Sequence, residues 1–434
     1  MLSTICRALW GDLSREELKK FGLLSGVFFF IIGTYWLVRS LKDAVFLKTV
    51  GPLYLPYAKM VSLVTLVFVL MLYAKLVDLL EKSHLIYLLS TLFGLYFGSL
   101  AYFISHPTIG LANTITDKYR LLGWMTYVGI ECCGTLMTFI FWSFVTSAMD
   151  TTSAKKGYPV IIAGAQGGSV LGSLLVMQAS TIGIGLLMLI ASASILMVPV
   201  MIKLFITRHP GDLEVEKQVA KKKPTGMLEG LRLLLSKPYL IGILAVSTLY
   251  EVVGEIMNFQ MKFLANSAYH SAEKVAEFMG FFGVLTNGLA LLFAVIGTSF
   301  FIRRFGFTFC LVAYPVTIAC VVSCAWAFNS LWVLLASMVT LKGLSYALNN
   351  PCKEIMYIPT SKDIKFKAKS WVDGFGGRTA KGTGASVVAF FPVVSELIFY
   401  GSIISLGIIG FWVAMALFVG RTNQRLVQDG SIIE

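Results

Sequence analysis

Apolar residues in this chain run together for about twenty positions at a time and are parted by short polar breaks. Twelve such runs lie near residues 22–40, 54–78, 84–105, 121–149, 158–178, 182–206, 238–265, 275–302, 306–328, 331–350, 370–394 and 397–420. A helix needs roughly 20 apolar residues to cross the ~30 Å hydrocarbon core of a bilayer. Polar and apolar residues do not alternate within the runs, which excludes a transmembrane barrel. The pattern predicts an all-α polytopic membrane protein with about twelve transmembrane helices.

An even number of spans puts both chain ends on one side. The segment 1–21 has no apolar leader and no small-residue cleavage site, and Asp12, Glu16 and Glu17 argue against a transit peptide. Leu2, Cys6, Leu9, Trp10 and Leu13 recur at helical spacing, which fits a short interfacial helix. One long hydrophilic stretch, 207–237, carries Lys221, Lys222, Lys223 and Pro224 near its middle and parts six spans from six. The expected organisation is therefore a cytoplasmic N-terminal segment (1–21), a six-helix half (22–206), a basic cytoplasmic linker (207–237), a second six-helix half (238–420) and a cytoplasmic tail (421–434). That layout is major-facilitator-like, with two parallel halves around a central cavity. A faint internal repeat agrees with it. KKGYPVIIAGAQGGSVLGS (155–173) and KAKSWVDGFGGRTAKGTGAS (367–386) each lead from a basic loop into a glycine-rich span, the fifth of its half. Matching Gly167-Gly168 to Gly376-Gly377 sets Ser169 opposite Arg378 and Gly172 opposite Lys381. Close helix approach accounts for the glycines, but not for two cations present in one half only.

Hydrophobic residues make up 57% of the chain and charged residues 14%, against roughly 25% charged in an average soluble protein. This excludes an ordinary soluble enzyme and a disordered chain. Thirty-six basic against 23 acidic residues give a net charge of +13. On a soluble protein that excess suggests nucleic acid; here it follows the positive-inside rule. Loops on the side of the termini hold 23 of the 36 basic residues, Lys353 among them, and the opposite loops hold four, Lys48, Lys118, Arg120 and Lys274. Seven cysteines and four histidines show no metal-ligand spacing. There is no GxxxxGK[ST], HExxH or GxSxG sequence. No cofactor, metal or nucleic-acid partner is expected.

Nine basic residues remain within or at the ends of spans, where charge is costly unless it faces water or a partner. At the outer end of the first span, Arg39 and Asp43 sit one turn apart and can pair. Arg39 and Lys42 share a face and repel unless an anion lies between them; the alternative is a pair of bases snorkelling at the membrane exit. Glu131 sits mid-span in YVGIECCGTLMTF (127–139), where a carboxylate must be paired, protonated or water-facing. Glu255 lies in YEVVGEIMNFQMK (250–262), with Glu251 four residues before it and Asn258 three after. It is expected to pair with Lys42 or Lys381, or to carry a proton. On the eleventh span Arg378 and Lys381 lie one turn apart behind Asp373. Two cations on one helix suit a polyphosphate, Arg as a bidentate fork and Lys as a point charge; ion pairs with Asp373 and a nearby glutamate are the alternative. Lys342 in the tenth span is either a partner for Glu131 or a third phosphate contact. Cations within the spans favour an anion pathway over a cation channel.

The run KEIMYIPTSKDIKFKAKSWVDGFGGRTAKGTGA (353–385) resembles the nucleotide transporter family of plastids and obligate intracellular bacteria, the bacterial and plastidic ATP/ADP translocases. That family has a similar K-E-M-A-Y-I-P run, then K-x-K-G-K, then an Asp, an Arg and G-K before small residues. Further similarity lies in EELKKFGLL and TYWLVRSLKDAVF, in E-x-x-G and FW-x-F between Glu131 and Phe144, in SKPYL, around Glu255, and in EFMGFFGVLTNG and IRRFGF. It covers nearly the whole chain. The resemblance implies transport-critical residues at Lys42, Glu131, Glu255 and Lys381, accompanied by Arg39, Asp43 and Arg378. Three positions depart from the family. The usual E-V-T-W-K reads Glu255, Ile256, Met257, Asn258, Phe259. Ser345 replaces the lysine before Y-A-L, with Lys342 a turn earlier, and Asn350 stands where an acid is usual.

The resemblance implies a secondary transporter rather than an enzyme, exchanging ATP for ADP by alternating access in a bacterial inner membrane. A monomer in the bilayer is expected, with both termini cytoplasmic. The expected substrate site is Arg39, Lys42, Glu131, Glu255, Asn258, Lys342, Arg378 and Lys381, with Asp43 and Asp373 as gating or ion-pair partners. The cations neutralise phosphates, and the glutamates pair with them when the site is empty, so that release leaves no bare buried charge. Transport of NAD or another nucleotide, by ADP exchange or proton-coupled uptake, is the alternative motivated by the missing lysine and the two glutamates. A receptor or enzyme on a carrier scaffold is the alternative from another class; no convergent nucleophile or metal cluster supports the enzyme.

Overall fold

The computed structural model describes residues 14–149, 151–209, 227–296, 302, 304–361, 364 and 368–433. The expected interfacial segment up to residue 13, the linker residues 210–226 with Lys221, Lys222 and Lys223, and the loop lysines Lys362, Lys365 and Lys367 lie outside these. Among the described residues, helical elements fall on all twelve apolar runs. They are α1 (Arg15–Thr49), α2 (Leu55–Leu79), α3 (Lys82–Ser105), α4 (Leu121–Ser147), α5 (Thr151–Val176), α6 (Ile184–Arg208), α7 (Pro238–Ala268), α8 (Ala272–Ile296) and α9 (Phe307–Phe328). Then come α10 (Leu331–Leu344, a π turn at Ser345–Asn349, then Asn350–Met356), α11 (Lys369–Trp371, a π turn at Val372–Gly376, then Gly377–Ala389) and α12 (Val394–Gln428).

Ten helices among the described residues are long and apolar enough to cross a membrane. The two runs outside that count are α10 and α11, both broken by π turns. In α10 the cause is Pro351, which has no N–H to donate four residues back. In α11 the sequence Val372-Asp373-Gly374-Phe375-Gly376 combines poor helix formers. α1 behaves in the opposite way and outruns its apolar pattern. It starts with a capping box, in which the Glu17 N–H donates to Ser14 Oγ and the Ser14 N–H to Glu17 Oε2, at 3.1 and 2.8 Å. It passes through Lys42 and Asp43 and ends before Gly51 (φ +103°) and Pro52. Residues 40–47 are buried, so the reading of Arg39 and Lys42 as bases leaving the membrane is replaced by a helix that carries Lys42 and Asp43 into the protein.

The chain forms two compact units, residues up to 222 with Tyr269–Val284, and Lys223–Ala268 with Leu285–Glu434. Within the first, α1 packs on α4, α5 and α6, and α3 packs on α4 and α6. Within the second, α7 packs on α10, α11 and α12, and α9 packs on α10 and α12. These five pairings correspond between the units, as a repeat of six predicts, while the packing of α2 on α4 has no match of like extent between α8 and α10 among the described residues. The glycine-rich fifth helix lies against the first helix in each unit. On α5, a Cβ at Gly168 would strike the Phe29 carbonyl and stand 3.1 Å from Gly33 N; one at Gly172 would strike the Gly33 carbonyl. On α11, a Cβ at Gly384 would stand 2.9 Å from both Glu255 Cβ and the Val252 carbonyl oxygen. Such backbone approach replaces the hydrophobic drive that is missing between helices in lipid. After α12 the chain turns at Gly430 (φ +61°), and Ile433 makes a parallel bridge to Thr360 in the loop that follows α10.

Candidate functional site

In the first unit, α1, α2 and α4 bring four charges together. Lys42 is 2% exposed. Its ammonium donates to Asp43 Oδ1 at 2.9 Å, stands 3.1 Å from Glu131 Oε1, and lies 3.9 Å from the centre of the Tyr127 ring. Glu131 Oε2 accepts from Lys59 Nζ of α2 at 3.1 Å. Each oxygen of this carboxylate therefore has its own lysine. Among these four groups two cations face two acids. Removing charges from water is costly, and pairing of this kind is the condition under which they stay buried. One turn before Lys42, the Arg39 guanidinium stacks on Trp36 at 4.9 Å, with Tyr35 at 5.9 Å. Tyr35 packs into the space left by Gly134, three residues beyond Glu131.

In the second unit, α7, α10 and α11 build a related cluster. Glu251 of α7 accepts from the Tyr250 hydroxyl at 2.6 Å and from Lys342 Nζ at 3.3 Å. Lys381 Nζ of α11 stands 3.7 Å from Glu251 Oε1. The centre of the Tyr250 ring lies 5.8 Å from Lys342 Nζ and 5.0 Å from Lys353 Nζ. Tyr250 is held by Tyr314 and Trp412, and Tyr314 is fixed in turn by donating to the Leu341 carbonyl, the residue before Lys342. Among the described residues, Lys342 and Lys381 thus share one carboxylate, and Lys353 stands on the same tyrosine ring as Lys342. Lys381 is the open member, its side chain 37% exposed, where Glu251 is 12% exposed.

The structure brings Lys42 to Glu131, where Glu255 was the partner expected for it, and adds Lys59 as the second cation. It reassigns two further pairings. Lys381, expected on Glu255, approaches Glu251. Lys342, expected as a partner of Glu131, also approaches Glu251. Asp43 takes Lys42 at 2.9 Å. Glu255 is buried beneath Gly384, and no ion pair is seen for it among the described residues. Asn258 is buried one turn further on. Asp373 is exposed and has no cation within 4 Å among the described residues, while Arg378 lies partly buried on α11. Lys353, counted in a loop, lies in the last helical stretch of α10.

The residues missed from sequence are Lys59, Glu251 and Lys353. A signal for Glu251 was present. The family run E-V-T-W-K fits Glu251-Val252-Val253-Gly254-Glu255 with its first two letters identical. In that register the glutamate of the run falls on the clustered residue, and Glu255 takes the place of its lysine. Lys59 stands in an apolar run with no acid at helical spacing, so its partner across the bundle left no trace in sequence.

The family described as TLC ATP/ADP transporter matches residues 2–340 and 328–422. A Rickettsia prowazekii protein, ADP,ATP carrier protein 3, is 23% identical over 474 aligned residues, covering 95% of this chain and 94% of its own. ADP,ATP carrier protein 2, chloroplastic, of Arabidopsis thaliana is 26% identical over 472, covering 92% of this chain and 74% of its own. Among solved structures, a bacterial homologue of the iron transporter ferroportin in an inward-facing state matches with a TM-score of 0.65 at 12% identity, covering 94% of this chain and all of that one. The nucleoside transporter NupG matches at 0.64 with 15% identity, covering 93% and 99%. At such identities the structural likeness speaks for the fold alone, which is all-α and major-facilitator-like.

Proposed function

The chain belongs to the TLC ATP/ADP transporter family, and on that premise we propose that it is a carrier exchanging ATP for ADP across a membrane by alternating access. The observation that carries the reading is how its buried lysines are neutralised. Lys42 is held by Glu131 and Asp43, and Lys342 and Lys381 by Glu251. A phosphate oxygen offers a lysine the same charge and acceptor chemistry as a carboxylate oxygen. Substrate entry therefore swaps one partner for another, and departure swaps them back, without leaving a bare buried cation. Cargo on the return leg takes over the same lysines, which favours exchange over one-way movement.

Lys42, Lys342 and Lys381 then neutralise phosphates with Arg39 and Arg378, and Glu131 and Glu251 are the counter-ions, Glu251 taking the role expected for Glu255. The carrier works as a monomer with both termini cytoplasmic, in a bacterial inner membrane. A second reading has a specific observation behind it. With Glu255 at the position of the family's lysine, positive charge is reduced near α11, which favours a less anionic nucleotide such as NAD.

The test uses purified protein in liposomes preloaded with ADP, ATP, NAD or nothing, and follows labelled ATP and labelled NAD separately. Uptake of ATP into nucleotide-loaded vesicles alone is the expected result, abolished by Lys42→Ala or Lys381→Ala. NAD uptake without ATP uptake moves the function to NAD import. Uptake into empty vesicles driven by a pH gradient makes the glutamates proton sites. Folded protein that moves neither nucleotide sinks the reading.

A further inference from the structure

Lys353 differs from the other lysines of its cluster. Lys342 and Lys381 each approach Glu251, at 3.3 and 3.7 Å. Lys353 has no carboxylate within 4 Å among the described residues. Its neighbour Glu354 is taken by Lys369, whose ammonium donates to both carboxylate oxygens at 2.8 and 2.7 Å. Asp373, Glu251 and Glu354 act on Lys353 only at longer range. What holds the Lys353 ammonium is the Tyr250 ring, 5.0 Å away, and the hydroxyl of that ring is committed to Glu251. A ring face is a weaker partner for a cation than an oxyanion. Among the described residues, Lys353 is thus a partly buried, pre-positioned cation with no carboxylate in direct contact.

Its place in the fold gives it a direction. Lys342 and Lys353 are eleven residues apart on α10, roughly 16 Å along a helix axis, yet both ammonium groups reach the ring of Tyr250. Their long stems span that difference. Lys353 lies towards the end of α10, where the chain exits into the loop that pairs with Ile433. An anion arriving from that side meets Lys353 before it meets Lys342 and Lys381.

We propose that Lys353 is an anion-docking residue of the second unit, which takes a terminal phosphate of the cargo on the face carrying the C-terminal tail and hands it to Lys342 and Lys381. The cargo named here rests on the nucleotide reading above; the chemistry, a phosphate on a lysine, does not. The hand-over needs no backbone motion, because Lys353 and Lys342 share one aromatic platform, Lys381 meets Lys342 on Glu251, and only side chains must swing.

The experiment uses full-length protein reconstituted in one orientation, with KM for ATP measured separately at each face. Lys353→Gln is expected to raise KM at the tail-bearing face by about 10- to 100-fold, the value of one hydrogen bond to a charged group. KM at the opposite face and the maximal rate stay unchanged, and Lys353→Arg restores the KM. An unchanged KM at the tail-bearing face, an equal rise at both faces, or a loss of rate that arginine does not rescue overturns the proposal. Lys353→Met, which keeps the stem over Tyr250, replaces the glutamine variant if that one fails to fold. If wild-type protein moves no nucleotide, binding of inorganic pyrophosphate to the solubilised protein decides separately. Weaker pyrophosphate binding in Lys353→Gln upholds the anion site although the nucleotide reading has failed. Equal binding, or none to the wild type, overturns it.

Discussion

Replacing Glu131 by glutamine keeps the shape of the side chain and removes the charge that holds two lysines. Both ammonium groups stand 3.1 Å from its carboxylate. At an effective dielectric of about 20, each contact is worth roughly 5 kcal/mol of Coulomb energy before desolvation is counted. Desolvation takes back much of that, and removing one member of a buried pair costs about 3–5 kcal/mol. Lys42 keeps Asp43 at 2.9 Å, so the lower end, about 3 kcal/mol, is expected for Glu131→Gln. Lys59→Met alone leaves Glu131 with Lys42 and is expected to cost about 1–3 kcal/mol. The double variant removes an acid and a cation together, and no uncompensated charge remains. Its cost is expected to fall about 2–3 kcal/mol below the sum of the two single costs. Reversible unfolding of the four proteins in mixed micelles, without substrate and followed by tryptophan fluorescence, measures this. Additivity within about 0.5 kcal/mol would show that water, not the lysines, neutralises Glu131, and would refute the reasoning. The double variant is expected to be stable but inactive in transport, since the counter-ion that trades places with phosphate is gone.

Glu251→Gln is expected to abolish exchange while Glu255→Gln retains most of it; the reverse order, measured as labelled ATP uptake in the same vesicles, would reinstate the register first read from sequence. Gly168→Ala places a methyl against the Phe29 carbonyl and the Gly33 backbone, contacts that no side-chain rotation relieves, so a loss of about 1–3 kcal/mol is expected. Gly22→Ala, with nothing within 4 Å of the added methyl, should be neutral or stabilising by up to about 1 kcal/mol in the same unfolding assay. Arg120 ties the loop between α3 and α4 by donating to the carbonyls of Ile109, Gly110, Asn113 and Ile115 at 2.6–2.9 Å. Arg120→Ala should therefore speed proteolytic cleavage within residues 106–120, and an unchanged cleavage rate would show that the loop is held by other bonds.

The sequence alone determined the twelve helical elements and their rough limits. A bilayer leaves no choice for an apolar run of about twenty residues but to satisfy its backbone internally as a helix. The glycine pattern of 155–173 and 367–386 likewise marked the two helices that must approach a neighbour most closely. The neighbours are α1 and α7, and naming them took the packing, since small residues permit an approach without saying to what. Sequence also supplied most of the charged residues of the two clusters, because ionisable groups in an apolar run stand out. Their partners were decided by the tertiary structure. α1 is apolar on nearly every side, so its pattern does not encode how it is rotated about its axis. The rotation that turns Lys42 towards Glu131 and Lys59 comes from packing against α4 and α5. A shift of four residues along α7 keeps the same face of the helix, so Glu251 and Glu255 are indistinguishable by periodicity. Only the positions of Lys342 and Lys381 on two other helices separate them, placing one carboxylate within ion-pair distance and the other under Gly384.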